Sequence, residues 1–256
     1  MSFVRDTWHL FLRLVQQTLR MPVYLVMSII QPILWVLLFS QLFRSVAKIP
    51  GFEGGSYIQF LAPGIAIMTA LFGAAYSGMG LLGDIDRGVL DRMLATPVSR
   101  SAIIAGRVLH GAAQVVVQAL LILVVAILRG ARPHGGVVGI VLVCVAAGLL
   151  GGSFAAFSNG LALLARRQEL VIAAMNFTIL PMVYLSTMLM SKGLMPGWIA
   201  AASSFNPVNW AVVVARSGFE GQDLGLVVRD FALLAGFFVV CGGLATAAFR
   251  KYQAEM

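Results

Sequence analysis

Charged residues are scarce in this chain: only 11% of its 256 residues are Asp, Glu, Lys or Arg, whereas 60% are apolar. A water-soluble domain carries roughly 25% charged residues, because its whole surface meets water. The apolar residues form several runs of about 20, the length that a helix needs to cross a bilayer. These runs lack the strict alternation of a membrane barrel, so the sequence predicts an all-α integral membrane protein.

The sequence also lacks the motifs that bind nucleotides or metals. None of its three lysines follows a glycine, so the Gly-x-x-x-x-Gly-Lys-Ser/Thr phosphate loop of ATPases is absent. The three histidines lie far apart, and Cys144 and Cys241 both fall inside apolar runs, without the spacing of a zinc site. We therefore expect no catalytic site, no metal and no cofactor in this chain.

Acidic residues are missing from the middle of every predicted span. All ten lie in loops, at the termini or at span ends, with Glu169 at the start of the fifth span. Ion-coupled transporters usually need ionisable groups inside the membrane. The pattern argues against an ion-coupled secondary transporter, which stays the alternative function. An intramembrane enzyme is a weaker alternative, because only His110 offers a base within a span.

The apolar runs and the segments between them predict one membrane domain over residues 1–256. Residues 3–20 form an amphipathic helix, with Trp8 and Phe11 on one face and Arg5 and Arg13 on another, as in helices that lie in the membrane interface. The predicted spans cover about 22–43, 59–82, 108–128, 137–165, 170–190 and 231–249. The glycine- and proline-rich segment 191–230, before the last span, is only moderately apolar.

The basic residues predict the orientation of the chain. Six spans place both termini on one side, and that side holds 11 of the 18 Lys and Arg residues. Positively charged loops stay in the cytoplasm, so both termini are predicted to be cytoplasmic. The net charge of +8 is spread singly or in pairs over the ends of apolar runs, a pattern that meets anionic lipid rather than nucleic acid.

The segment 83–107, between the second and third spans, concentrates the charges of the chain. It predicts a short cytoplasmic helix with an apolar stripe and charged outer faces, which Pro97 ends. Its charged residues and one methionine are the candidates for contact with a partner: Asp86, Arg87, Asp91, Arg92 and Met93. Such a helix could transmit force from a docked protein to two spans, or lie in the interface without a partner.

Uncharged polar residues inside the spans have two explanations. His110, Gln114 and Gln118 share one face of the third span at spacings of four residues. Other polar residues within spans include Gln31, Asn176 and Thr178. They either form hydrogen bonds between helices, each worth on the order of 0.6 kcal/mol, or line a weakly polar path for an amphiphilic substrate. We predict the path at Gln31, Asn176 and Thr178.

Several segments together resemble the permeases of type-2 ABC transporters. Residues 86–100 read Asp-Arg-Gly-Val-Leu-Asp-Arg-Met-Leu-Ala-Thr-Pro-Val-Ser-Arg, similar to the first cytoplasmic loop of that family. Asp86 stands where the family usually has glutamate. Further similar segments follow in the family's order: 57–64 (Tyr-Ile-Gln-Phe-Leu-Ala-Pro-Gly), 181–186 (Pro-Met-Val-Tyr-Leu-Ser), 194–198 (Leu-Met-Pro-Gly-Trp) and 205–210 (Phe-Asn-Pro-Val-Asn-Trp). The likeness is strongest to permeases of daunorubicin-resistance and nodulation-factor exporters.

This resemblance implies the permease subunit of an ATP-driven exporter in a bacterial cytoplasmic membrane. Two permeases, identical or homologous, would pair, and two separate ATP-binding subunits carrying ATP and magnesium would dock below them. The helix within 83–107 would couple ATP hydrolysis to the spans, and 191–230 would form re-entrant helices at the outer face. A drug-like molecule, lipid or glycolipid would pass along a path lined by the first, second and fifth spans.

Overall fold

The computed structural model describes residues 3–42, 57–96, 98–221 and 224–254, and all regular structure in these ranges is helical. Pro97 and the segment 43–56, which follows the first predicted span, lie outside the described residues. The helices are α1 (Phe3–Leu19), α2 (Pro22–Leu42), α3 (Tyr57–Ala75), α4 (Ser77–Asp86), α5 (Val89–Leu94), α6 (Arg100–Leu128), α7 (Gly136–Ala165), α8 (Gln168–Tyr184), α9 (Gly197–Ser203), α10 (Pro207–Glu220) and α11 (Leu224–Ala254).

Four helices in the described ranges are long and apolar enough to cross a membrane. They are Tyr57–Asp86, Ser101–Leu128, Gly136–Ala165 and Gly225–Tyr252. Two shorter apolar helices, Val26–Leu42 and Gln168–Tyr184, coincide with the first and fifth predicted spans. The all-helical membrane class is confirmed, whereas the count of six spans stays a prediction.

The second and third spans continue further into the charged segment than predicted. Helix α4 ends at Asp86 rather than near 82, and α6 begins at Arg100 rather than near 108. The predicted coupling loop 83–107 thus contains the end of α4 and the start of α6, and Asp84 and Arg107 are buried inside these helices. A buried charge is tolerated when a partner neutralises it, and these two side chains form an ion pair with each other.

Helix α8 stops at Tyr184, before the end of the fifth predicted span at about 190. Side chains of α10 and its N-cap bind backbone carbonyls in the last turn of α8 and just after it. The Asn206 amide donates to the carbonyls of Met182 and Leu185, and the Arg216 guanidinium donates to the carbonyl of Thr187 at 3.0 Å. These bonds satisfy carbonyls that a continuing helix would have used. The predicted outer segment 191–230 thus contains α9 and α10, and its re-entrant character stays a prediction.

Helix α7 lies at the centre of the bundle and packs against α3, α6, α10 and α11. A second cluster of buried apolar side chains closes one end of the bundle, where α5 meets the adjoining ends of α6, α7 and α11. We call this end the α5 end. Leu90 of α5 is fully buried there, together with Leu163 of α7 and Phe249 of α11. The short helix therefore shares a buried apolar cluster with three long ones.

Helix α1 matches the predicted N-terminal helix and packs across the start of α6. The carboxylate of Asp6 accepts a hydrogen bond from the backbone N–H of Ser99 at 3.0 Å, just before α6 begins. Gly106 lets the two helices approach closely, since a Cβ there would lie 2.9 Å from the Cβ of Leu10. Trp8 and Phe3 remain exposed on α1. The interfacial position of α1 stays a prediction that this exposed apolar face suits.

Candidate functional site

A tight turn aims α5 away from α4. Arg87 follows the last residue of α4, and Gly88 adopts a left-handed conformation with φ of 62°. Glycine adopts this conformation at little cost, because it has no Cβ. The guanidinium of Arg92 donates to the carbonyls of Gly88 and Arg87, each at 3.2 Å, which braces the turn. The chain therefore reverses at Gly88 and presents α5 as a separate surface.

The five predicted coupling residues lie at the end of α4, in the turn that follows it and on α5. Asp86, Arg87, Asp91 and Arg92 are exposed, while Met93 is half-buried. The sulfur of Met93 accepts a hydrogen bond from the guanidinium of Arg13 at 3.5 Å, which connects α5 to α1. Both charge signs alternate on this small surface. Its role in coupling is untested by the structure and stays a prediction.

Beneath α5 lies a buried charge cluster around Asp84, which the sequence reasoning missed as a site. Asp84 is 2% exposed and Arg107 is 8% exposed, and their side chains are in direct contact. The second carboxylate oxygen of Asp84 lies 3.2 Å from the Arg87 guanidinium and 3.8 Å from that of Arg13. One carboxylate thus joins α1, the turn before α5, and α6. The sequence did contain a signal for this pair: an Asp and an Arg stand at the ends of two apolar runs, on either side of one loop.

A cavity of about 790 Å³ opens between α1, α2, α3, α4 and α6, with Asp84 and Arg107 in its wall. Its apolar wall includes Trp35, Phe72 and Met68. This volume lies within the range of roughly 300–1,000 Å³ that holds drug-sized ligands. No group of three metal-ligating side chains occurs in the part of the chain that the structure describes. The mixed lining is suited to an amphiphilic organic molecule.

The predicted path residues lie in three different settings. Gln31 of α2 lines the cavity. Asn176 of α8 lies outside the lining but binds a residue within it. Its side-chain oxygen accepts a hydrogen bond at 2.7 Å from the hydroxyl of Tyr76, which lines the cavity. Thr178 lies outside the lining and donates to the carbonyl of Ala174 within its own helix at 2.8 Å. The path assignment as a whole stays a prediction.

The polar face of the third predicted span also lines the cavity, although only the pattern and not a site was predicted there. His110, Gln114 and Gln118 all face it from α6. The His110 ring and the hydroxyl of Thr18 lie within hydrogen-bond distance, 2.9 Å apart, which adds a second link between α1 and α6. Helix α8, the fifth predicted span, contributes no residue to this lining among the described residues. The third predicted span lines the cavity together with the first and second.

Comparisons with known proteins give one consistent family. The family model described as ABC-2 type transporter matches residues 5–219. A daunorubicin resistance ABC transporter permease protein, DrrB1 of Streptomyces coeruleorubidus, is 27% identical over 91% of this chain and 82% of its own length. The putative transport permease ycf38 of Pyropia yezoensis is 32% identical over 84% of this chain and 74% of its own. The inner membrane transport permease YadH of Escherichia coli K12 is 28% identical over 92% and 90%.

Proposed function

Because the chain belongs to the ABC-2 type transporter family, we propose that it is the permease subunit of an ATP-driven exporter of an amphiphilic molecule across the cytoplasmic membrane. One observation supports this most directly: the wall of a drug-sized cavity contains the charge pair Asp84–Arg107, and the same Asp84 binds Arg87 beside α5. A movement of α5 would therefore reach the cavity through a single carboxylate. The cargo would be a drug-like molecule, a lipid or a glycolipid.

The membrane topology of the proposal has six crossings. Val26–Leu42 and Gln168–Tyr184 would add two crossings to the four longer helices. The whole of α2 has 21 residues and spans about 32 Å at 1.5 Å per residue, enough for a hydrocarbon core of roughly 30 Å. Helix α8 has 17 residues and spans about 26 Å, slightly less than that core. Flanking residues can make up this difference by extending toward the interface. Both termini would then be cytoplasmic, and α9 and α10 would form the outer re-entrant segment of a single permease domain.

Energy for transport would come from a separate ATP-binding subunit, which a member of an ABC transporter family requires. Two copies, each holding ATP and magnesium, would dock under two permease chains, identical or homologous. The docking surface would be α5 and its preceding turn, with Asp86, Arg87, Asp91 and Arg92 exposed to the partner and Met93 packed behind them. Leu90 is buried in one cluster with residues of α6, α7 and α11, so a movement of α5 would be passed to these spans through that cluster.

Charge reversal on α5 tests the docking surface. We expect Asp91→Arg and Arg92→Glu, made separately, each to weaken binding of the ATP-binding subunit about tenfold, because like charges would face each other across the interface. Both side chains are exposed, so the permease should still insert. Arg92→Glu also removes the two hydrogen bonds that brace the turn, so Asp91→Arg is the cleaner of the two variants. Affinity is measured by biolayer interferometry with the permease in nanodiscs. The control is Arg129→Glu, an exposed residue just past the far end of α6; unchanged binding in both α5 variants would contradict the assignment.

The substrate path would run through the cavity and between the paired permeases. Gln31 lies in the cavity wall, and Asn176 accepts a hydrogen bond from Tyr76 of that wall. Thr178 lies outside the wall and forms its hydrogen bond within α8. Relatives named for daunorubicin and doxorubicin resistance support a drug-like molecule as cargo. The largely apolar lining with a few polar groups is the usual character of a small-molecule site.

Reconstitution tests the function as a whole. The chain is expressed with the ATP-binding subunit encoded beside it and reconstituted in nanodiscs, and mass and ATP hydrolysis are recorded with and without daunorubicin. We expect an assembly of two permeases and two ATP-binding subunits, with hydrolysis that the compound stimulates. A chain that binds no ATPase, yet moves solute down an ion gradient in liposomes, would establish the secondary-transporter alternative. Retained activity of His110→Ala would dismiss the intramembrane-enzyme alternative.

A further inference from the structure

The membrane helix Tyr57–Asp86 is interrupted at Tyr76, where α3 passes into α4. Tyr76 has a φ of −102° and a ψ of 13°. The N–H of Met79 donates to the Tyr76 carbonyl at 3.0 Å, three residues back, a tighter turn than that of an α-helix. Tyr76 lies ten residues before the helix end at Asp86, about 15 Å along the axis, so the proposed topology places it near mid-membrane. We call Tyr76 and Ser77 the joint.

Side chains of α7 hold the joint on one side. The Gly78 N–H donates to the Ser158 hydroxyl at 3.1 Å, and the Asn159 amide donates to the Ser77 hydroxyl at 2.7 Å. Both α7 residues are buried. Irregular backbone at membrane depth is tolerated where other protein groups bind it. The joint therefore fixes Tyr76 beside α7, the central helix of the bundle.

Tyr76 connects the cavity to α8. Its side chain is half-buried and lines the cavity, and its hydroxyl donates to the side-chain oxygen of Asn176 at 2.7 Å. Asn176 itself lies outside the lining. The tyrosine thus stands between the cavity and α8, the helix along which the proposed path continues between the paired permeases.

Helix α8 packs on the bundle through one narrow stripe of apolar residues. The buried members recur at every fourth position: Val171, Met175, Ile179 and Val183. Phe177, on the opposite face, is 83% exposed. Apolar contacts between membrane helices have no hydrophobic driving force, because lipid tails are as apolar as the side chains. A polar bond beside this stripe therefore contributes a substantial part of what holds α8 in place.

We infer that Tyr76 is a positioning residue of transport, a latch that holds α8 against the cavity wall until its hydrogen bond to Asn176 breaks. The inference rests on the proposed function and adds a step to it: cargo leaves the cavity toward α8 after Tyr76 has released that helix. One neutral hydrogen bond between membrane helices changes an equilibrium only about threefold. The latch therefore opens reversibly, and a small bias from cargo or from α5 shifts it.

A thiol on the buried stripe of α8 reports the release. Met175→Cys places it at a fully buried position next to Asn176, in a chain that also carries Cys144→Ala and Cys241→Ala. Its rate of reaction with N-ethylmaleimide is measured for the full chain in nanodiscs. A thiol reacts as the thiolate, which needs water, so the rate follows the fraction of time that the stripe is open. Val143→Cys, fully buried in α7, reports general loosening of the bundle instead.

Tyr76→Phe removes the hydroxyl and keeps the ring. We expect it to raise the labelling rate of Met175→Cys about threefold and to leave that of Val143→Cys unchanged. Asn176→Leu should have the same effect, and the double variant should label no faster than either single variant, because both act through one bond. The matched control is Tyr184→Phe, which changes an exposed tyrosine of α8 and should leave labelling unchanged.

Three results would overturn the latch: no change of labelling in Tyr76→Phe, an equal rise at Val143→Cys, or additive effects in the double variant. In the transporter reconstituted with its ATP-binding subunit, Tyr76→Phe should also raise the maximal rate of daunorubicin transport about threefold and leave KM unchanged. An unchanged maximal rate would remove Tyr76 from the transport cycle.

The outcomes separate this inference from the proposed function, because the labelling measurements need no ATP-binding subunit. A selective rise in labelling without any ATP-driven transport would leave the latch standing and overturn the exporter proposal. Transport by a chain whose labelling does not respond to Tyr76→Phe would leave the exporter proposal intact and overturn the latch.

Discussion

Replacement of Asp84 by alanine is expected to lower the free energy of unfolding by about 3–5 kcal/mol and to abolish transport, because it leaves the buried guanidinium of Arg107 without its counter-charge. Arg107 is 8% exposed, and its guanidinium is in direct contact with the Asp84 carboxylate. Arg13 and Arg87 are 38% and 60% exposed in their side chains and can be hydrated instead. Stability is measured by unfolding with sodium dodecyl sulfate from mixed micelles, and transport in liposomes with the ATP-binding subunit.

A double variant separates the structural from the functional role of this cluster. Asp84→Leu combined with Arg107→Met removes both buried charges and fills their volume with apolar groups, a change that is often neutral for stability. We expect the double variant to unfold within about 1–2 kcal/mol of the unaltered chain but to transport no substrate. Recovery of transport together with stability would show that the charges are dispensable and that the link from α5 to the cavity does not pass through Asp84.

The second large effect is expected at Gly78, where α4 crosses α7. A Cβ there would meet the side-chain oxygen of Ser158 at 2.8 Å and its carbonyl carbon at 2.7 Å, and the Gly78 N–H donates to the same side chain at 3.1 Å. Gly78→Ala must push the helices apart and break this bond. We expect the free energy of unfolding to fall by about 1–3 kcal/mol, measured by the same micellar titration. Daunorubicin binding should also weaken, because α4 carries part of the cavity wall.

Gly83→Ala, on the same helix, is the matched control. Its Cβ would lie 3.6 Å from the Arg87 guanidinium, which is an ordinary contact. Alanine is the better helix former, so this variant should gain about 0.4–1 kcal/mol. Opposite changes in the free energy of unfolding for the two variants would separate the effect of the α4–α7 crossing from the effect of helix propensity. A gain of stability in Gly78→Ala would contradict the close approach of α4 and α7.

The sequence by itself determined the class, the number of apolar segments and the place of the charged helix. Long apolar runs with few charges leave helices as the available structure in lipid, because each backbone group must be paired inside its own segment. The fourth span was predicted at 137–165, and α7 covers Gly136–Ala165. The alternating charges of residues 86–92 also predicted one exposed helix, which the structure divides at Gly88 between the end of α4 and α5. Each of these conclusions depends on residues close together in the chain.

Only the tertiary structure decided where helices end and which distant side chains meet. Helix α8 stops at Tyr184 because Asn206, more than twenty residues later, binds its last carbonyls. Asp84 and Arg107 continue α4 and α6 because each neutralises the other. The charge pattern along the chain predicts that both are loop residues, because an unpaired charge is more stable in water. The pairing that reverses this preference is made across the bundle, and no spacing along one helix encodes it.

The cavity shows the same division. The four-residue spacing of His110, Gln114 and Gln118 placed them on one face of a helix, as the structure has them. The spacing left open whether that face meets another helix or an empty space, because helical periodicity gives direction but not neighbours. The fold put α2 and Gly73 of α3 opposite this face and left room between them. The local pattern thus located a polar face on the helix, and the packing of the other helices made that face the wall of a cavity.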